Sequence, residues 1–380
     1  MAKAKAEARE YFVTGFPNFT AVKLVQRIAE TEPASRIHLL VMERHLPLAK
    51  TLFKRLTKGA QRRVTMLTGD VIYWDLGLSG QEVRLLSEKI THILHLASIW
   101  ELGVPESVCR EVNVTGAERV LDFAKECIKL QRFGYFSTLS VSGRREGMIL
   151  EEDPIEEVHF KNSWERTRSQ AERLVRKRMD KGLPATILRL GSVVGDSRSG
   201  EIMKFEGPYK IVQGFLKLDH RLKVFFPGAC EGPANLVPVD CVAEAGLFLL
   251  HSPQTLGKTY HVTDPFPMST RTVVEAVCSY LGRKTPTFGL PKPLYRAVFL
   301  IPGMDRFGGI PAELFDYFNH KAVHNCAQTL AALQGSGIVC PRFESYFPIG
   351  IEFAKSMMNR RQERQEEEKA VDPLDRVLND

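Results

Sequence analysis

The segment VTGFPNFTA places Gly15 at the end of a short apolar run and at the start of a helical pattern. Small residues at such a junction let the chain turn tightly and let backbone N–H groups approach a pyrophosphate at a helix N-terminus, which is the chemistry of dinucleotide binding. Only the first of the three usual glycine positions is Gly; Asn18 and Ala21 hold the others. Asn tolerates positive φ better than most residues, and Ala is small enough for a helix to lie close to a sheet. A second cluster is basic: residues 43–63 hold seven Lys/Arg against one acid, Glu43. HKAVH puts His320 and His324 at helical i, i+4 spacing but lacks the Glu of a zinc-protease helix. The seven cysteines include no CxxC pair, which argues against a zinc ribbon or redox dithiol and for reduced, buried thiols. No metal site is expected.

The elements that must position these residues follow from periodicity. Apolar runs at 10–14, 37–42, 64–67, 90–96, 133–137 and 185–190 read as strands, with helix-length segments between several of them. Val22, Leu24, Val25 and Ile28 recur on one side of the first helix; Leu48, Leu52, Phe53 and Leu56 recur at helical spacing after the second strand. Strands alternating with helices imply a parallel sheet covered on both faces, a doubly wound α/β fold. After about Gly195 glycine and proline become frequent and the alternation breaks down, which predicts a smaller substrate region. From about Phe353 the mixed charges of NRRQERQEEEK predict a solvated tail.

Composition bounds the function classes. The chain has 380 residues, is 44% hydrophobic and 26% charged, and carries a net charge of +7, which excludes general disorder and a disulfide-dense scaffold. No apolar run approaches the roughly 20 residues of a membrane span. The charged start leads into YFVTG without an apolar leader, so a cytosolic protein is expected. Nucleic-acid binding finds no support, because the basic segment lacks aromatic interleaving and a recognised module. With Leu48, Leu52, Phe53 and Leu56 turned inward, that segment reads as a solvated helix face biased toward a phosphorylated cofactor.

The order of VTGFPNFTA, TGDVIYWDLGLS (68–79), ILHLAS (93–98), NVTGAERVLDFA (113–124) and YFSTLSVSG (135–143) resembles an extended short-chain dehydrogenase/reductase. Within that superfamily the chain is most similar to the thioester reductase and fatty acyl-CoA reductase, or male sterility, branch. FKNSWERTRSQAERLVR (160–176), ILRLGSVVGDSRSGE (187–201) and NLVPVDCVAEA (235–245) agree, as do GIPAELFDYF (309–318) and CPRFESYF (340–347) more weakly. The resemblance implies a cofactor set of Gly15, Phe16, Pro17, Asn18, Phe19, Arg44, Asp70, Leu96, Ala97 and Arg168. Asp70 would accept a hydrogen bond from the adenine amino group, Leu96 and Ala97 would floor the cofactor, and Asn113 would brace the active-site strand. His95 is expected to be a satisfied core residue. The Arg that commonly pairs with the 2′-phosphate of NADP falls at Met42, followed by Glu43 and Arg44; the basic surroundings favour NADP over NAD.

The same resemblance exposes a break in the pattern. Family enzymes use a Tyr as proton donor, a Lys four residues on, and a Ser or Thr at the preceding strand end. Thr138 fits the last role, with Ser137 and Ser140 beside it, but the Tyr and Lys positions hold Trp164 and Arg168. An indole N–H does not ionise usefully and Arg stays protonated. The expected organisation is a Rossmann-type domain over 1–190, a substrate region with returning elements over 191–352, and a tail over 353–380. The expected function is an NADP- or NAD-binding protein impaired as a standard reductase, a nucleotide sensor or scaffold. The alternative is an active oxidoreductase on an acyl thioester, aldehyde or ketone, with Thr138 through a water chain, Lys161 or His159 as displaced donor. Family members often form a homodimer through a helix pair that would include residues 166–181.

Overall fold

The computed structural model describes residues 8–99, 101, 103–155, 158–205, 208–217, 226–299 and 315–370. Segments 300–304 and 309–314 of the apolar and family motifs, and residues 371–380 of the tail, lie outside the described residues. Seven strands form the central sheet: β1 (Glu10–Thr14), β2 (Arg36–Val41), β3 (Val64–Thr68), β4 (His92–His95), β5 (Arg132–Thr138), β6 (Ala185–Leu190) and β7 (Thr259–Val262). All pair in parallel, in the order β7-β6-β5-β4-β1-β2-β3. The order reverses between β1 and β4, and there the carboxyl ends of the strands open a crevice.

Period-two alternation sends each strand's side chains to two cores. Tyr11 and Val13 face one core while Phe12 faces the other; Phe133 and Tyr135 oppose Phe136 in the same way. Helices Phe19–Thr31, Leu46–Phe53 and Val239–His251 cover the first face, and Gly80–Ser87, Gly116–Glu126 and Ser163–Met179 the second. Among the described residues no helix is long and apolar enough to cross a membrane. A third cluster, with Phe205, Phe215, Phe226, Val277 and Phe343, gives part of the later region a core of its own.

The structure adds to the sequence reading in three places. β7 returns from the later region to the central sheet; its run, TYHV, is four residues long and half polar, too short to register as a buried strand. Helix Phe343–Ala370 runs through residue 353, where the sequence reading begins a separate tail, because Ile351 and Ala354 are buried in the third cluster. Ala322–His324 is a strand paired with Gly147–Ile149, so His320 and His324 do not share a helical face.

Helix Ser163–Met179 is fixed behind β5 and β6 by buried charge. Arg189 of β6 donates to Glu172 Oε1 at 2.9 Å, Arg176 joins the same oxygen at 3.0 Å, and Ser137 of β5 donates to Oε2. Burial alone would raise the Glu172 pKa, but Arg189 and Arg176 hold it below the ordinary carboxylate range. Glu172→Ala strands Arg189 in the core and is expected to cost about 3–5 kcal/mol in urea unfolding, whereas Glu244→Ala, which removes a pair with the exposed Arg198 at 3.1 Å, should cost less than about 1 kcal/mol.

His92, His95 and His261 are buried and burial pushes each pKa down to about 3, with His251, Arg168 and Arg189 respectively adding to the effect. A folded value below the ordinary value of about 6.5 means that the stability is complete above that pH and is lost as the pH falls toward 3, by up to about 1.4 kcal/mol per pH unit for each histidine. Urea midpoints are therefore expected to drop between pH 7.5 and 5, and a flat profile would contradict neutral buried histidines.

Candidate functional site

At the crevice, Gly15 leaves β1 with φ +84°, and a Cβ there would lie 2.6 Å from the carbonyl carbon of Leu96. Only glycine permits that approach of the β1 exit to the β4 exit. The Phe16–Pro17 peptide is cis, and Phe16 and Pro17 are buried beneath the turn. Asn18 donates its N–H to Gly15 O at 2.8 Å, accepts from Ala21 N at 2.7 Å and donates from Nδ2 to Leu96 O at 3.3 Å. Its φ is −63°, so it serves as a helix N-cap and not as a left-handed substitute for glycine. Helix Phe19–Thr31 thus begins at the crevice with its first-turn N–H groups directed there. Phe19 sits on its first turn under the Lys23 ammonium, 5.7 Å away.

Thr14, which the sequence reading did not single out, joins the two strand ends. Its fully buried Oγ1 accepts from Leu96 N and Ala97 N, both at 3.2 Å, and pairs with His95 Nδ1 at 2.8 Å. His95 is a buried core residue, yet its Nε2 has no partner among the described residues. At the β2 exit, Arg44 is exposed on the turn Glu43–His45. The His45 pKa is lowered by burial and by the charges of Arg44 and Lys204, with Asp70 opposing. Asp70, at the β3 exit, accepts from Ile72 N at 3.3 Å as a local turn and does not cap a helix.

Thr138 ends β5 and its hydroxyl accepts from Ser140 N at 3.3 Å. Helix Ser163–Met179 starts behind it, capped by Asn162. The Trp164 indole N–H is buried and has no partner among the described residues. Arg168 is buried; its guanidinium donates to the Phe136 carbonyl and lies 5.2 Å over the Tyr135 ring. Asn113 brackets Ile99, accepting from its N–H at 2.8 Å and donating to its carbonyl at 3.3 Å, and reaches Thr167 at 3.0 Å. His159 is exposed. Lys161 is buried, donating to Gly143 O at 2.9 Å and pairing with Glu165 at 3.4 Å; burial lowers its pKa against the pull of Glu165. Tyr317 accepts from Asn162 at 2.8 Å and closes that cluster. The i, i+4 spacing of Lys161 and Glu165 was a readable signal for this pair; Tyr317, 152 or more residues away, offered none.

The family described as Male sterility protein matches residues 13–246. The chain belongs to that family. An alcohol-forming fatty acyl-CoA reductase of Simmondsia chinensis is 33% identical to this male sterility family chain over 141 residues, 36% of this chain and 28% of that protein. Glycine betaine reductase ATRR of Emericella nidulans is 26% identical over 217 residues, 56% of this chain and 17% of that protein. The chain thus spans well under a third of these curated relatives. Among solved structures, the terminal R domain from the myxalamid PKS-NRPS biosynthetic pathway superimposes with a TM-score of 0.78 at 24% identity, covering 94% of this chain and 92% of that one. A thiolation-reductase di-domain from an archaeal non-ribosomal peptide synthetase gives 0.75 at 18% identity, over 93% and 76%. At these identities the likeness shows the fold.

For the male sterility fold in this chain, Thr14→Val leaves the Leu96 and Ala97 N–H groups without their acceptor and His95 Nδ1 without its hydroxyl partner. It is expected to cost about 1–3 kcal/mol in urea unfolding, and an unchanged midpoint would show that the β1–β4 junction is held by other contacts.

Proposed function

We propose that this chain binds NADP or NAD across the β1–β4 crevice and is impaired as a standard reductase, acting as a nucleotide-responsive sensor or scaffold. The residues fit the group: a glycine that brings backbone against backbone, a capped helix opening at the strand ends, and a basic cluster at the β2 exit. Residues 15–19 with Leu96 and Ala97 would hold the pyrophosphate end, and Asp70, Arg44 and their neighbours the adenosine. Arg44 and Lys204, whose charges both act on His45, favour a 2′-phosphate and hence NADP. The observation that carries the impairment is at the catalytic position. The bound nicotinamide supplies a hydride, and the carbonyl that receives it needs a proton from a neighbouring acid. Trp164 has no ionisable proton, and Arg168 turns its guanidinium onto the Phe136 carbonyl.

Lys161 favours a second reading, an active oxidoreductase on an acyl thioester, aldehyde or ketone with a displaced donor. It lies three residues before Trp164, just ahead of the helix cap, with its side chain buried and its pKa lowered so that its ammonium gives up a proton more readily. A small-molecule substrate of this class is consistent with the names of the curated relatives.

Calorimetric titration with NADPH and NADH, followed by 340 nm assays with acyl-CoA thioesters and long-chain aldehydes, tests both. Binding without turnover is the expected result, and no nucleotide binding would refute the proposal. Trp164→Tyr with Arg168→Lys is expected to raise turnover at least about 100-fold over background where the pocket accepts substrate. Wild-type turnover abolished by Lys161→Met, with binding intact, would establish the second reading.

A further inference from the structure

Beyond the strand Ser192–Val194, residues 195–205 carry an acidic turn onto the helix that opens at the crevice. Lys23, one turn past the Asn18 cap, donates from Nζ to Asp196 Oδ2 at 3.0 Å and to Glu201 Oε2 at 2.8 Å. The three side chains retain only 14%, 13% and 26% exposure, so the pairs are substantially desolvated. Arg55 reaches the second Glu201 oxygen at 2.9 Å. Burial would lower the Lys23 pKa, but the hydrogen bonds of Glu201 and Asp196 hold it above its ordinary value.

The turn is built as a unit. Asp196 Oδ1 accepts from Arg198 N and Ser199 N, Gly200 N donates to Asp196 O at 2.8 Å, and Ser197 is held by both oxygens of Asp240. Gly200 has φ +70°, and a Cβ there would lie 2.5 Å from Ile349 O, so the turn is also wedged against the last helix. Met203 then packs against the first core, and Arg55, just past the helix Leu46–Phe53, ties Glu201 to the β2 side of the sheet. The segment therefore runs alongside the crevice from β6 to β2.

Two carboxylates in such a place oppose the approach of an anionic nucleotide, by several-fold in affinity even at high dielectric. Lys23 and Arg55 neutralise Asp196 and Glu201 charge for charge. We propose that Lys23 is a positioning residue for nucleotide binding: it pins and neutralises the acidic turn at 196–201, making it a neutral wall of the cleft, without itself touching the nucleotide. This rests on the nucleotide reading above.

The test is the Kd for NADPH and for NADH, by calorimetry at low and at high salt, with thermal melting to confirm the fold. Lys23→Met is expected to weaken binding about five- to tenfold at low salt and less at high salt. Adding Asp196→Asn and Glu201→Gln is expected to restore the affinity to within about threefold, because the repelling charges are then gone. Glu201→Gln alone, nearly isosteric, is expected to tighten binding, the opposite sign to Lys23→Met. An unrescued triple variant, or a Glu201→Gln variant that binds no tighter than wild type, overturns the proposal. Should Lys23→Met fail to fold, the sign of the Glu201→Gln and Asp196→Asn effects decides alone. Wild-type protein that binds neither nucleotide overturns the nucleotide reading and this proposal with it, whereas binding indifferent to all these charges overturns only this one.

Discussion

The contact on which the rest depends is the approach of two strand exits. Gly15 lies against the backbone of Leu96 and Ala97, and the Thr14 hydroxyl accepts both of their N–H groups. Neighbouring strands stand about 4.8 Å apart, so a turn that continues straight on from β1 must pass over β4 at backbone distance. No side chain fits there. Every other feature of the crevice follows: the helix opens at that point because Asn18 caps it there, and Asn18 can reach Leu96 O because the two exits touch. Thr14 also orients His95, whose ring stacks on Tyr135, over which the Arg168 guanidinium lies. The glycine turn and Arg168 are thereby joined through one continuous packed path on the second face of the sheet.

The doubly wound sheet was legible because its central strands, buried on both faces, are short apolar runs, and because helical spacing separates them. β7 was not legible. TYHV carries two polar residues that are buried only because Thr259 meets Arg176 and His261 meets Glu151 and Asn325. Partnerships of that kind join residues 64 to 110 apart and leave no local trace. Asn18 shows a subtler difference: its residue type suggested backbone freedom, whereas the structure uses its side chain as a cap, two roles for which Asn is equally suited.

At Thr138 and Arg168 the sequence conveyed the residue types, and the structure supplied their commitments. Arg168 carries its positive charge on a planar fork, and that fork finds a backbone carbonyl inside the protein. The hydroxyl of Thr138, by contrast, stays at the strand exit, because it caps the next turn. The polar cluster of Lys161, Glu165, Asn162 and Tyr317 was half visible: Lys161, Asn162 and Glu165 are neighbours in sequence at a helix start, but their closure by a residue from the later region depends on the tertiary fold.

The pairing of Gly147–Ile149 with Ala322–His324 has a consequence for the chain as a polymer. These three-residue strands are separated by more than 170 residues, and each is too short to stand alone in water. A fragment ending after β7 would leave the 147–149 edge without its partner, with Met148 exposed, and unpaired edges of this kind invite pairing with other molecules. During synthesis that edge emerges more than 170 residues before its mate, so a later strand covers an edge that is open to other pairing until then.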